Sequence, residues 1–155
     1  MNIVVNSIGK ASTNWHKEAL AMYAQRITTM ARLTEHCMMT PKRAKHTSIE
    51  KLKAQEQAFL IAHIPKGAHV ILLDERGSTH ATQAYANQLK QYQAHHQTLC
   101  FLLGGPDGHS ASIHEYAHSK LALSEFTMPH ILAKIMLYEQ LYRCMTLMKN
   151  HPYHR

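Results

Sequence analysis

Residues 150–155 read Asn150-His151-Pro152-Tyr153-His154-Arg155. Two imidazoles, a phenol and a guanidinium standing this close together can stack on a base, pair with phosphate, and donate or take a proton. Pro152 stops any helix that precedes them. A solvated polar tail is the plain reading of such a segment; a share in a site is the functional one. Just upstream, Glu139 and Arg143 interrupt an otherwise apolar stretch. Their i, i+4 spacing suits an ordinary helix ion pair, but beside the tail they could also hold its groups in place.

A second candidate is Gly104-Gly105-Pro106-Asp107-Gly108, which follows an apolar run. Glycines allow positive φ and close approach of backbone to a ligand. No Lys-Ser/Thr follows, so this is not a P-loop, and the spacing is not G-x-G-x-x-G. The loop suits a neutral or cationic ligand held through backbone groups, or is simply a tight strand-to-helix turn. His114 and His118 share i, i+4 spacing, but no third ligand accompanies them and no H-E-x-x-H occurs, so no metal site is expected. His95-His96 stands at a helix end, where cations are favoured in any case. Ser110 lacks a nucleophile elbow, and Cys100 lies inside an apolar strand, a poor place for a thiolate.

These groups must be positioned by alternating strands and helices. Strands are expected at 2–8, 33–39, 69–73, 98–103 and 120–124, with helices at 14–30, 49–64, 82–95, 112–118 and 129–149. Trp15, Ala19, Met22, Tyr23 and Ile27 fall near helical spacing, and Ser48 can cap the helix that follows it. Residues 69–73 and 98–103 are continuous apolar runs, as buried parallel strands show. Asp74-Glu75-Arg76-Gly77 reads as a polar turn. The pattern implies one α/β domain over residues 1–155 with a mostly parallel sheet and helices on both faces. Ligands bind beyond the carboxyl ends of such strands, which singles out the segments after Leu73, Leu103 and Leu123. The helix at 129–149 is apolar almost all round and must be covered on all sides. A second copy across a two-fold axis is the simplest cover, with loops of the same chain as the alternative.

The chain has 155 residues and carries +7 with neutral histidines. A small basic domain points to a polyanion, nucleic acid first and anionic membrane second. Lys10, Lys42, Arg43 and Lys45 are the candidate phosphate contacts. The start MNIVVNSIGK has no basic region ahead of its short apolar run, so no signal peptide is expected, and no run approaches a membrane span. Cys37, Cys100 and Cys144 are isolated and odd in number, as expected of reduced thiols in a cytoplasmic protein.

Taken in order, four strings resemble one family: LLDERG at 72–77, FLLGGPDGHS at 101–110, LALSEFTMPHILAKIMLYEQLYR at 121–143, and NHPYHR at 150–155. With Gly9-Lys10 near the start, the resemblance spans the whole chain and is to the small SPOUT-class RNA methyltransferases of the RlmH (YbeA-like) family. It implies an α/β domain with a C-terminal trefoil knot, a homodimer, and methylation of N3 of a pseudouridine in 23S ribosomal RNA on the ribosome. It also implies S-adenosyl-L-methionine as cofactor, with Leu73, Gly104, Gly105, Leu123, Ser124, Glu125, Phe126, Thr127 and Met128 at the cofactor-binding positions. Tyr153, His154, Arg155, Arg143 and Glu139 are then the candidate catalytic groups. Arg143 and Arg155 would contact phosphate or a ring oxygen, Tyr153 would stack or hydrogen-bond, and His154 could accept a proton. The competing readings are a SPOUT enzyme acting on another RNA such as tRNA, and a non-catalytic ribosome-binding module.

Overall fold

The computed structural model describes residues 1–40, 48–95 and 98–154. Five parallel strands form one sheet: β1 (Asn2–Ile8), β2 (Arg32–Met38), β3 (His69–Ser78), β4 (Thr98–Leu103) and β5 (Ser119–Leu121). Their order is β2-β1-β4-β3-β5, with every pairing parallel. The helices are α1 (Asn14–Thr28), α2 (Ile49–Ala62), α3 (Thr82–His95) and α4 (His130–Met148), with a 3-10 turn over Ala111–Tyr116.

Alternation along the strands builds two cores. Ile3, Val5, Ile71, Leu99, Phe101 and Leu103 point to one face and pack with α1, α3 and α4. Val4, Val70, Leu72, Cys100 and Leu102 point to the other, under Leu60 of α2 and Ile113 of the 3-10 turn. Helices on both faces explain why the central strands read as unbroken apolar runs. Ser48 caps α2 as its sequence suggests, its side chain accepting from the Lys51 N–H at 3.2 Å.

The structure departs from the sequence pattern in three places. First, Asp74-Glu75-Arg76-Gly77 is not a turn after the strand. It lies inside β3, where the register slips, so that Leu73 and Ser78 both face Leu121 of β5. The Asp74 side chain accepts from the Arg76 N–H at 2.9 Å and shapes this bulge. A Cβ at Gly77 would fall 2.7 Å from the Leu121 backbone, so only glycine lets β5 pass so close.

Second, α4 is largely covered by its own chain. The sheet, α1 and α3 enclose Leu137, Tyr138, Leu141 and Cys144 completely, so its apolar circumference does not by itself demand a second subunit. On these two helices the exposed large apolar side chains include Met136 of α4, and Trp15 and Met22 of α1, where spacing alone suggested an inward face.

Third, Lys134 is buried inside α4. Its ammonium pairs with Glu35 of β2 and donates to Ser7 Oγ of β1 at 3.0 Å, while Tyr138 donates to the same Glu35 carboxylate at 2.6 Å. This junction fastens the first half of α4 to the β1–β2 side of the sheet. No helix among the described residues is long and apolar enough to cross a membrane.

Candidate active site

A cleft of about 820 Å³ opens beyond the carboxyl ends of β3, β4 and β5. That is within the usual size range of a small-molecule site. The sequence-predicted Leu73, Gly104, Gly105, Leu123, Ser124, Phe126, Thr127 and Met128 all line it, whereas Glu125 is exposed and does not. The glycine loop forms one wall, and at Gly104 and Gly105 a side chain would crowd its neighbours. A Cβ on Gly104 would sit 2.8 Å from the His109 ring, and one on Gly105 2.7 Å from the Glu56 carboxylate. Glu56 is buried on α2, takes a backbone hydrogen bond from Gly105, and has its pKa raised first by burial and then by Asp107. Gln57, next to it, accepts from the Ser110 and Ser112 hydroxyls. Helix α2 thus clasps the loop from behind.

The polar lining extends beyond the sequence-predicted cofactor positions. Asp74, Asp107, His109, His114 and His130 all face the cleft. His114 pairs with Asp74 at 3.7 Å, while the His118 Nδ1 accepts from the Val70 N–H at 3.0 Å. The two histidines at helical spacing therefore serve different partners. No group of three His, Cys, Asp or Glu side chains suited to a metal occurs among the described residues. Burial lowers the pKa of His109, and burial together with His16 and Lys134 lowers that of His130, so both rings favour the neutral form. Leucine and methionine side chains, glycine-loop backbone and carboxylates make a lining that fits a nucleoside carrying a positive centre.

The tail forms a second cluster. Asn150 takes φ +54, a left-handed conformation that asparagine tolerates at a helix end. The His151 N–H then bonds back to the Thr146 carbonyl at 2.8 Å, which turns the chain back along α4. Tyr153 meets Tyr142 edge-on at 4.7 Å between ring centroids, and the Arg143 guanidinium lies 4.9 Å above the Tyr153 ring. Arg26 of α1, which no sequence signal marked, stands within 6 Å of the Tyr23, Tyr142 and Tyr153 rings.

Glu139 is committed within this cluster. It accepts from Arg143 at 2.9 and 2.5 Å and from Gln140 at 2.7 Å. Its role is therefore to hold the guanidinium, not to stand free as a base. Arg143 Nη1 approaches His154 Nδ1 at 3.5 Å. A guanidinium only donates, so this contact leaves the lone pair on Nδ1 and the proton on Nε2. Arg155 and the basic residues Lys42, Arg43 and Lys45 lie outside the described residues.

Among the described residues, cleft and tail do not meet within one chain. Ala133 lines the cleft, and Arg143 stands roughly 15 Å further along the helix axis. Neither Tyr153 nor His154 is among the residues around the cleft.

A family model described as "Predicted SPOUT methyltransferase" matches residues 1–154. The chain belongs to this family. It is 37% identical over 155 residues to the Ribosomal RNA large subunit methyltransferase H of Verminephrobacter eiseniae, covering 100% of this chain and 99% of that protein. Proteins of the same description from Acidovorax ebreus and Neisseria gonorrhoeae are each 34% identical with the same coverage. The five-stranded parallel sheet with helices on both faces is the α/β architecture that the SPOUT resemblance implied.

Proposed function

We propose that this protein is an S-adenosyl-L-methionine-dependent ribosomal RNA methyltransferase that modifies N3 of a pseudouridine in 23S RNA on the assembled ribosome. The observation that carries the reading is the cleft at the carboxyl ends of β3–β5, walled by the glycine loop and by residues 121–124 and 126–130, in a chain of the SPOUT methyltransferase family. The names of the relatives point to large-subunit RNA, and +7 suits a polyanion. The close passage of β5 over Gly77 is consistent with the trefoil threading that we also propose.

When bound, S-adenosyl-L-methionine supplies a methyl group from its sulfonium centre. Leu73, Gly104, Gly105, Leu123, Ser124 and residues 126–128 would hold it through backbone groups and apolar contacts, and Asp74 gives the cleft a carboxylate suited to a cation. The target nitrogen begins protonated and must lose that proton, to solvent water or to a side-chain base, by the time it is methylated. Arg143, oriented by Glu139, would steady the negative charge that develops on the ring or its phosphate. His154 would offer its Nε2 proton to a ring oxygen, and acting as base would require it to give up the Arg143 contact. Tyr153, braced between Tyr142 and the arginines, would present its ring edge or hydroxyl to the base.

The separation of cleft and tail supports a shared site, with cofactor from one subunit and tail from its partner in a homodimer. The exposed Trp15 and Met22, one above the other on α1 at i, i+7, are apolar surface available to such an interface. To test the function, purified protein and labelled S-adenosyl-L-methionine are offered ribosomes, free 23S RNA and tRNA, and the methylated nucleoside is identified by mass spectrometry. Label on a 23S pseudouridine is the expected result; label on tRNA alone, or none, overturns the reading.

A further inference from the structure

His109 joins the two strands that frame the cleft. It follows the glycine loop of β4, yet its Nε2 lies 2.7 Å from the carbonyl oxygen of Leu73, the residue at the β3 bulge. A carbonyl can only accept, so this nitrogen carries the proton. The ring also fills the space beside Gly104: the three atoms nearest a Cβ built there all belong to His109, from 2.8 to 3.3 Å. Its edge faces His114 at 6.5 Å between centroids, and His114 in turn pairs with Asp74.

We propose that His109 is a positioning residue for the cofactor cleft, a crossbar that fixes the Leu73 carbonyl and sets how closely the Gly104 backbone can approach a bound nucleoside. The inference rests on reading this cleft as the cofactor site. It gives a physical reason for glycine at 104 that backbone conformation does not, because Gly104 is not among the positive-φ glycines. Burial keeps the ring neutral against the opposing pull of the Leu73 carbonyl and Asp74, which suits a fixed donor.

The test is calorimetry of the full-length protein with S-adenosylhomocysteine. Binding by the wild type separates the two ideas, because without it the cofactor reading fails and the crossbar with it. Given wild-type binding, His109→Leu is expected to weaken it about tenfold, the cost of one unmet buried hydrogen bond. His109→Gln, whose amide can still donate to Leu73, is expected to stay within about threefold. A Leu variant that binds like the wild type, or a Gln variant no better than a folded Leu variant, overturns the proposal.

A double variant tests the packing separately. Gly104→Ala should be much less harmful with His109→Ala than alone, and additive losses contradict the crossbar. Nitrogen-15 spectra of the wild-type imidazoles remove any dependence on variants that fail to fold. A proton on Nε2 of His109 is expected at pH 7, and the Nδ1 tautomer, which cannot donate to the Leu73 carbonyl, overturns the assignment.

Discussion

The cleft and the tail cluster solve opposite problems with different chemistry. The cleft is built from strand ends, glycine backbone and neutral imidazoles, and its shape comes from what is left out: no Cβ at Gly104 or Gly105. The tail cluster is built from side chains, with two arginines among three tyrosines and a carboxylate that fixes one of the guanidiniums. A pocket made by omission should fail when anything is added. A cluster made of side chains should fail when one is removed, while leaving the pocket intact. That contrast separates cofactor binding from reaction at the RNA.

The largest effect is expected from Gly104→Arg, which drives a side chain into His109 and the cleft. Cofactor binding and methyl transfer should both fall at least about a hundredfold, measured by calorimetry and by label incorporation. Glu139→Ala should sharpen the contrast from the other side. It frees Arg143, lowers turnover by about ten- to a hundredfold and leaves S-adenosylhomocysteine binding near the wild type. Equal losses of binding and turnover would merge the two regions into one.

Lys134→Met belongs to neither region and acts on the helix that links them. Removing one partner leaves Ser7 and Glu35 without their cation. Because Glu35 is partly open to water, the cost should be about 1–3 kcal/mol in denaturant unfolding. The smallest effect concerns pH. Burial lowers the folded-state pKa of His109 and His130, so the unfolded chain binds more protons between those values and the ordinary histidine range. Stability is then full above pH ~6.5 and falls as the medium is acidified through that window. His109→Gln should flatten this part of the pH profile of Tm.

Much of this arrangement was legible because it is local. The apolar runs at 69–73 and 98–103, the Ser48 cap and a glycine loop at a strand end all depend on near neighbours, and all appear in the structure. The rest depends on distant partners. Asp74-Glu75-Arg76-Gly77 remains in β3 only because β5 accepts a bulge there. Lys134 can be buried only because Glu35 comes from another strand. Arg26 reaches Tyr153 through the packing of α1 on α4, which helical spacing within α1 does not reveal. His109 looked like one histidine among many until the fold brought Leu73 within hydrogen-bonding distance.

The central claim is that the cleft and the tail are halves of one site supplied by two subunits. It is tested most directly by pairing a Gly104→Arg subunit with one lacking residues 153–155 and measuring methyl transfer to ribosomes. Each variant alone should be inactive. Random pairing in equal amounts should restore roughly a quarter of wild-type activity, because half the dimers then hold one intact site of two. Mixed dimers that form, with each subunit folded, and remain inactive would contradict the account.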